Sequence, residues 1–342
     1  MDYLIIGQGL AGTLIGYRLE QAGHRVHYAD AAEQTAASSV AAGVINPITG
    51  RRFVRSWRID ELLPEARELY AQLENTLGVR LWHDLPLIRT LFNRGEQNDW
   101  LSRGGDPGYA QYLDDTPNLG SLPELTYPAF SYVGVRQTAR VDLRRLVQTF
   151  RSRILATGRF TASVIDYGAL PPGYDRYIFC EGWRARYNPY FNYLPHGGTK
   201  GEALLVDTGD APVLKRMFKH RVFLVPQIEG GYWVGASSSN AFTDDGPTGA
   251  TATFLEDRLR EVLRVPYTVT AHLAAVRPTV RDRRMLLGRH PQHPELYIFN
   301  GLGTKGASLA PLGSKWLYDL LERGIPVPAE VSIDRFSDQG AG

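Results

Sequence analysis

Tyr3-Leu4-Ile5-Ile6-Gly7-Gln8-Gly9-Leu10-Ala11-Gly12 is a short apolar run that passes directly into a glycine turn. Four consecutive apolar residues fit a parallel strand buried on both faces. Beyond the turn, Leu10, Leu14 and Tyr17 fall at helical spacing, and Gly23 supplies a stop. Arg25-Val26-His27-Tyr28-Ala29 predicts a second strand that ends on Asp30. Strand, glycine turn, helix, strand and acid stand in the order and spacing of a dinucleotide-binding unit.

Each residue type in that unit has a physical reason. Gly7 permits the tight turn, Gly9 lets backbone approach a pyrophosphate, and Gly12 lets the helix pack closely on the strand. Leu10 and Ala11 open the helix, whose N-terminus offers N–H donors and a partial positive charge. Asp30 is placed to accept hydrogen bonds from an adenosine ribose. Ala31, Ala32 and Glu33 follow it, so no basic residue is at hand for a 2′-phosphate, which disfavours NADP. The motif alone does not separate NAD from FAD.

The chain has 342 residues, enough for one very large domain or two ordinary ones. Hydrophobic residues at 43% and charged residues at 22% describe a globular chain able to bury a sizeable core. The net charge of +2 gives no strong field to steer nucleic acid or an anionic membrane. The single cysteine, Cys180, excludes a disulfide framework and a cysteine-rich zinc site. The histidines form no H-E-x-x-H pattern, so no metal is expected. No stretch approaches the roughly 20 apolar residues that cross a bilayer, and a cytoplasmic protein is the expectation.

Ser38-Ser39-Val40-Ala41-Ala42-Gly43-Val44 is small and uncharged, so its backbone can lie flat against a planar ring. Together with Tyr28-Ala29-Asp30, this stretch resembles the N-terminal signature of the D-amino-acid oxidase family of flavoproteins. Glycine oxidase, sarcosine oxidase and the flavin domain of a bacterial tRNA-modifying enzyme belong to that family. The resemblance implies non-covalent FAD, with its AMP half on the glycine turn and Ala41, Ala42 and Gly43 beside the flavin ring. It also implies an α/β (mixed α+β) fold: a Rossmann-like FAD-binding domain with an interleaved antiparallel-sheet substrate domain. Residues 1–58, 137–200 and 271–342 are expected to form the FAD-binding domain, and residues 59–136 and 201–270 the substrate domain.

Elsewhere, residues 59–77 predict an amphipathic helix, with Leu62, Leu63, Ala66, Leu69, Tyr70 and Leu73 on one face. Asn93 to Pro128 is polar and rich in glycine and proline, and reads as a loop-rich insertion outside the core. Leu143 to Ile154 and residues 254–263 read as helices. Tyr177-Ile178-Phe179-Cys180 reads as a buried strand closed by Gly182, so Cys180 is expected to be an unreactive core thiol. Gly197-Gly198-Thr199-Lys200-Gly201-Glu202 reads as a crossover into the strand Ala203–Val206. Val222–Pro226 and Tyr232–Gly235 form a hairpin pattern. Trp183, Tyr187, Tyr190, Phe191 and Tyr193 are dense enough to wall a pocket, though such aromatics more often pack a core.

The C-terminal block carries the second half of the resemblance. Arg277-Pro278, Gly288-Arg289-His290-Pro291, and Gly301 with Gly303-Thr304-Lys305-Gly306 before a helix from about Ala307 to Leu321 look like glycine oxidase. That likeness implies that Arg277 holds a substrate carboxylate as a bidentate fork. It also implies that Gly182 and the 301–306 turn face the flavin, where a helix N-terminus stabilises a reduced ring. Three positions depart from the pattern. Phe223 stands where glycine oxidase carries a tyrosine, Lys305 replaces an arginine, and Trp233 replaces a lysine of sarcosine oxidases. These changes point away from glycine and sarcosine and from rapid oxygen turnover.

The expected activity is FAD-dependent oxidation of a C–N bond of an amino acid or a primary or secondary amine. Hydride passes to flavin N5 and the imine is hydrolysed. Arg277, Lys305 and Phe223 are the expected substrate-side residues, and oxygen or another acceptor is the expected partner. Alternatives are a partner-dependent dehydrogenase, a tRNA-modification-type amine oxidase, or a flavin-binding protein without turnover. The near-neutral charge counts against nucleic acid.

Overall fold

In a computed structural model of the chain, residues 1–31 and 36–339 are described. The N-terminal unit forms as read: strand Asp2–Ile6, helix Leu10–Gln21 and strand Arg25–Asp30, the two strands parallel. Tyr3, Leu4, Ile5 and Ile6 are all buried, as a strand covered on both faces requires. Gly12 has no room for a side chain. A Cβ there would sit 2.1 Å from the Gly7 carbonyl oxygen and 2.9 Å from Ile5 Cγ2.

These strands belong to a six-stranded sheet in the order Phe160–Ala162, Arg25–Asp30, Asp2–Ile6, Arg176–Phe179, Leu296–Asn300, Leu286–Arg289. The first five run parallel, and the last pairs antiparallel. The helix Gly306–Arg323 packs on the helices Leu10–Gln21 and Ile59–Leu77, and Tyr70 Oη donates to the Ala307 carbonyl at 2.9 Å. The predicted face of Ile59–Leu77 is the buried one.

A second, eight-stranded sheet has the order Thr268–Val280, His196–Asp207, Tyr232–Gly235, Phe223–Pro226, Met217–Lys219, Leu87–Leu91, Ser131–Val135, Leu113–Asp114. All its pairings are antiparallel except that of Met217–Lys219 with Leu87–Leu91. His196–Asp207 is one strand, so the segment Gly197–Glu202, expected as a crossover into a strand starting at Ala203, is already part of that strand. The glycines there serve close packing: the space a Cβ would need is taken by Thr279 at Gly197, by Val276 and Phe242 at Gly198, and by Arg277 at Gly201. Residues 200/201 and 270/271 thus lie inside two strands paired along their whole length.

Two further expectations need correction. The segment 93–128 carries the helices Arg94–Gly104 and Leu122–Leu125, and buries Trp100, Tyr109, Tyr112, Leu113, Leu122 and Leu125. Its polar composition hid them, because Arg94–Gly104 buries only Trp100 and is fixed by Asn93 Oδ1 capping the Glu96 amide at 3.0 Å. The later helix runs Gly249–Arg260, starting earlier than predicted. Its start is set from a distance: the Thr248 amide and hydroxyl donate to Glu202 at 2.8 and 3.0 Å.

Candidate active site

Parallel strands under helices leave a crevice beyond their carboxyl ends, where the strand order reverses. A cavity of about 690 Å³ opens there, and Ile6, Asp30, Cys180 and Asn300, all at or just past strand ends, line it. The eight-stranded sheet closes the other side through Gly201, Ala203, Lys219, Phe223, Trp233, Gly235, Ala275 and Arg277.

Two helices end on this cavity with bare N-termini. Gly9 caps Leu10–Gln21 and Lys305 caps Gly306–Arg323, and neither side chain accepts a hydrogen bond from its helix. Gly9, Leu10, Ala11, Gly303, Thr304, Gly306 and Ala307 all line the cavity. Uncapped N–H groups at the positive ends of two helices suit an anionic, hydrogen-bond-accepting ligand. The glycines leave space for it. A Cβ on Gly9 would meet only Ser38 Oγ at 3.1 Å, and Gly303, at φ +54°, has no atom closer than Pro278 O at 4.0 Å. These residues fit a flavin dinucleotide.

Asp30 lies on the wall, with Oδ2 accepting the Gln8 amide at 2.7 Å and Oδ1 held by Arg151 Nη2 at 2.9 Å. Arg151 also donates from Nε to Gln8 Oε1 at 2.6 Å. The glycine turn and the acid are therefore locked by an arginine the sequence reading did not single out. Ala32 and Glu33, used to disfavour a 2′-phosphate, lie outside the described residues.

Gly7, Gly9, Leu10, Ala11, Asp30, Ser38, Ala41, Ala42, Gly43, Val44, Gly182, Phe223, Arg277, Gly303, Thr304, Lys305 and Gly306 all line the cavity. Gly12, Ser39 and Gly301 do not. Gly12 serves the helix–strand contact, and Gly301, at φ +76°, packs on Val280 and Arg284. Gly43 has a second duty. At φ +72°, a Cβ there would sit 1.8 Å from the Val141 carbonyl oxygen, so the position admits only glycine. Trp233 Nε1 donates to the Val40 carbonyl at 3.0 Å and ties the Ser38–Val44 stretch to the eight-stranded sheet.

Arg277 is half-buried, and its guanidinium lies over Gly201, donating to the Ser237 carbonyl at 3.3 and 3.4 Å. Burial holds its pKa below the usual arginine value. Lys305 Nζ donates to Thr49 Oγ1 at 3.3 Å and Ser56 Oγ at 3.1 Å, and burial with Arg283 and Arg284 nearby lowers its pKa. Neither cation forms an ion pair among the described residues.

The strand before Cys180 ends at Phe179, so Cys180 stands on the cavity wall and not inside the strand. It is buried, and burial pushes its thiol well above the ordinary range. Of the clustered aromatics only Trp183 lines the cavity. Tyr190 and Phe191 pack with His290, and Tyr187 is exposed. Sequence reasoning missed Lys219, Glu181 and Asn300. Asn300 Nδ2 holds the Gly182 carbonyl at 2.7 Å, while Glu181, raised in pKa chiefly by burial, accepts from Tyr167 and Asn188. Adjacency to Gly182 and Gly301 was the available signal for the last two.

No helix among the described residues is long and apolar enough to cross a membrane. The family model "FAD dependent oxidoreductase" (DAO) matches residues 2–320. The glycine oxidase of Geobacillus kaustophilus strain HTA426 is 25% identical over 357 residues, covering 94% of this chain and 93% of that one. A crystal structure of glycine oxidase from Geobacillus kaustophilus superposes with a TM-score of 0.79 at 21% identity, covering 96% of both chains. That of iminodiacetate oxidase from Chelativorans sp. BNC1 gives 0.77 at 20% identity, covering 98% of both. With the uncapped helix ends, the glycine cradle and a family match along nearly the whole chain, this protein belongs to the DAO family of FAD-dependent oxidoreductases.

Proposed function

We propose that the protein oxidises the C–N bond of a small amino acid, with oxygen taking the electrons afterwards. The observation that carries this reading is Arg277, a half-buried guanidinium on the cavity wall whose only hydrogen-bond partner among the described residues is a carbonyl oxygen. A planar fork in that state suits a carboxylate, which offers two parallel acceptors.

The chemistry a bound FAD would supply is acceptance of a hydride from the carbon bearing the amine. Gly7 to Ala11, Asp30, Ser38 to Val44, Gly182 and Gly303 to Gly306 are the residues that would hold it. Arg277 anchors the substrate at one end, so that binding energy there orients the reacting C–H bond. Phe223 supplies an apolar surface without the hydroxyl a tyrosine would bring. Lys305 and the backbone N–H groups of the Gly306–Arg323 helix would supply positive potential to a cofactor that gains negative charge on reduction. The proposed domain division is 1–58, 137–200 and 271–342 against 59–136 and 201–270, with the paired strands His196–Asp207 and Thr268–Val280 running across its boundaries.

Anaerobic mixing of the FAD-loaded protein with a panel of amino acids and carboxylate-free amines tests the reading. Bleaching of the flavin by amino acids, followed by peroxide on admitting air, is the expected result. Bleaching by plain amines alone would remove the carboxylate from the proposal.

A further inference from the structure

The floor of the cavity holds a second cation that the reading above does not use. Lys219 pairs across the sheet with Phe223, Phe223 with Gly235, and Gly235 with Ala203. Cross-strand partners project from one face, and all four line the cavity. Lys219 Nζ stands 4.8 Å from the centre of the Phe223 ring. Its one hydrogen bond among the described residues is to the Arg221 carbonyl at 3.2 Å. Arg89, its neighbour on the adjoining strand, is also cationic and adds to the local positive potential.

The contrast with Lys200 is informative. That lysine is more deeply buried, and it stands 3.7 Å from Glu202 and 3.1 Å from Asp244. Among the described residues, Lys219 and Arg277 line the cavity with carbonyl oxygens as their only hydrogen-bond partners. A half-buried ammonium and a half-buried guanidinium without carboxylates beside them are costly unless a ligand supplies the counter-charge.

The two cations lean towards each other. Lys219 reaches over the Phe223 ring, and Arg277 over Gly201, with only Tyr232–Gly235 between those two strands. Phe223 is in register with Ala203, so Gly201 is also offset by two residues along the strand. Two inter-strand steps and that offset span about 12 Å. Charge-assisted hydrogen bonds of about 2.8 Å at each end leave about 6 Å between the bound oxygens. Two carboxylates flanking a short amine in an extended chain reach that far. The floor between them is small and apolar, made by Gly235 and Ala203.

Resting on the carboxylate reading of Arg277, the geometry points to a dicarboxylic amine or amino acid as the substrate, with Arg277 on one carboxylate and Lys219 on the other. Lys219 is thus a specificity residue, selecting dianionic over monoanionic substrates.

The test needs no turnover. Diglycolate, the ether analogue of iminodiacetate, has two carboxylates and no oxidisable amine, and methoxyacetate has one. Calorimetric titration of the FAD-loaded protein should show diglycolate binding about 10-fold or more tightly than methoxyacetate, the gain of one charge-assisted hydrogen bond. Lys219→Met should reduce that ratio to about twofold and leave methoxyacetate affinity within about twofold, since only the second contact is lost. Lys219→Arg should restore most of it. Equal binding of the two ligands by the wild type overturns the proposal, as does a ratio unchanged in Lys219→Met. Arg277→Ala separates the two layers. Loss of affinity for both ligands keeps the carboxylate anchor, whatever Lys219 does; retention of both removes the anchor and the dicarboxylate proposal with it.

Discussion

Replacing Arg277 by methionine should move stability and activity in opposite directions. The guanidinium is half-buried over Gly201, bonded among the described residues only to the Ser237 carbonyl, and its pKa is lowered by burial. Methionine keeps the length of the stem and the apolar contact while removing the charge. Exchanging buried charge for apolar volume is neutral to stabilising by about 1–4 kcal/mol. Because one side of Arg277 opens on the cavity, the lower part of that range applies, about 1–2 kcal/mol, which raises Tm by a few degrees. The same change removes two charge-assisted hydrogen bonds to a carboxylate, each worth about 1.5–3 kcal/mol, so kcat/KM should fall by roughly 10²–10⁴. Thermal unfolding of the FAD-loaded protein without substrate gives the first quantity, and anaerobic flavin reduction the second. A lower Tm with an unchanged reduction rate would refute the reasoning, since it would make Arg277 a satisfied structural residue.

Gly201→Ala should raise KM with FAD affinity intact. The new methyl would lie 2.0 Å from Arg277 Nη2 and must displace the guanidinium, and a KM equal to wild type would show that Arg277 acts elsewhere. Asp30→Ala should weaken FAD by about 1.5–3 kcal/mol, because it removes an acceptor, leaves the Gln8 amide without its partner and leaves Arg151 held by Gln8 alone; fluorescence titration of the apoprotein with FAD measures it. Acid precipitation should release all the flavin. Cys180 is the only cysteine and its thiol is held protonated by burial, so flavin remaining with the pellet would contradict a non-covalent site. The preference for diglycolate over methoxyacetate should fade as pH rises through about 8, where burial and Arg89 set the Lys219 ammonium to lose its proton. Lys219→Arg should keep the preference well above that pH, and a flat wild-type profile would exclude the ammonium as the second anchor.

The parts of the fold that were legible in the sequence are those whose cause is local. Gly7 takes a positive φ at the turn, Gly12 packs against Gly7 and Ile5 of the same turn and strand, and the acid follows at the end of the next strand. The long helix Ile59–Leu77 announces itself through one apolar face. What escaped was set from a distance. The glycines 197, 198 and 201 look like a crossover, yet each lies beneath a side chain from another strand or loop. The start of Gly249–Arg260 is fixed by a carboxylate 46 residues earlier in the chain. Polar composition masked the helix Arg94–Gly104, whose burial rests on Trp100 alone, bonded at Nε1 to Asp115 at 2.7 Å.

The site follows the same division. Its cofactor half is made of consecutive residues around turns, so composition and spacing expose it. Its substrate half is a sheet face, where Lys219, Phe223, Gly235 and Ala203 meet only through strand register. A lysine at a strand end is unremarkable in a sequence; in the fold the same lysine lines a cavity beside Arg89, with no carboxylate paired to it among the described residues, and that placement is what suggests a binding role. The two halves also obtain positive potential by different means. The cofactor end uses backbone N–H groups of two uncapped helices, with Asp30 and Arg151 neutralising each other beside the turn. The substrate end uses whole charges on side chains. Backbone dipoles bind a large, fixed anion without tying specificity to any one residue, whereas side-chain cations can be exchanged singly. Specificity in this protein therefore resides on the sheet face and can change there while the dinucleotide end stays the same.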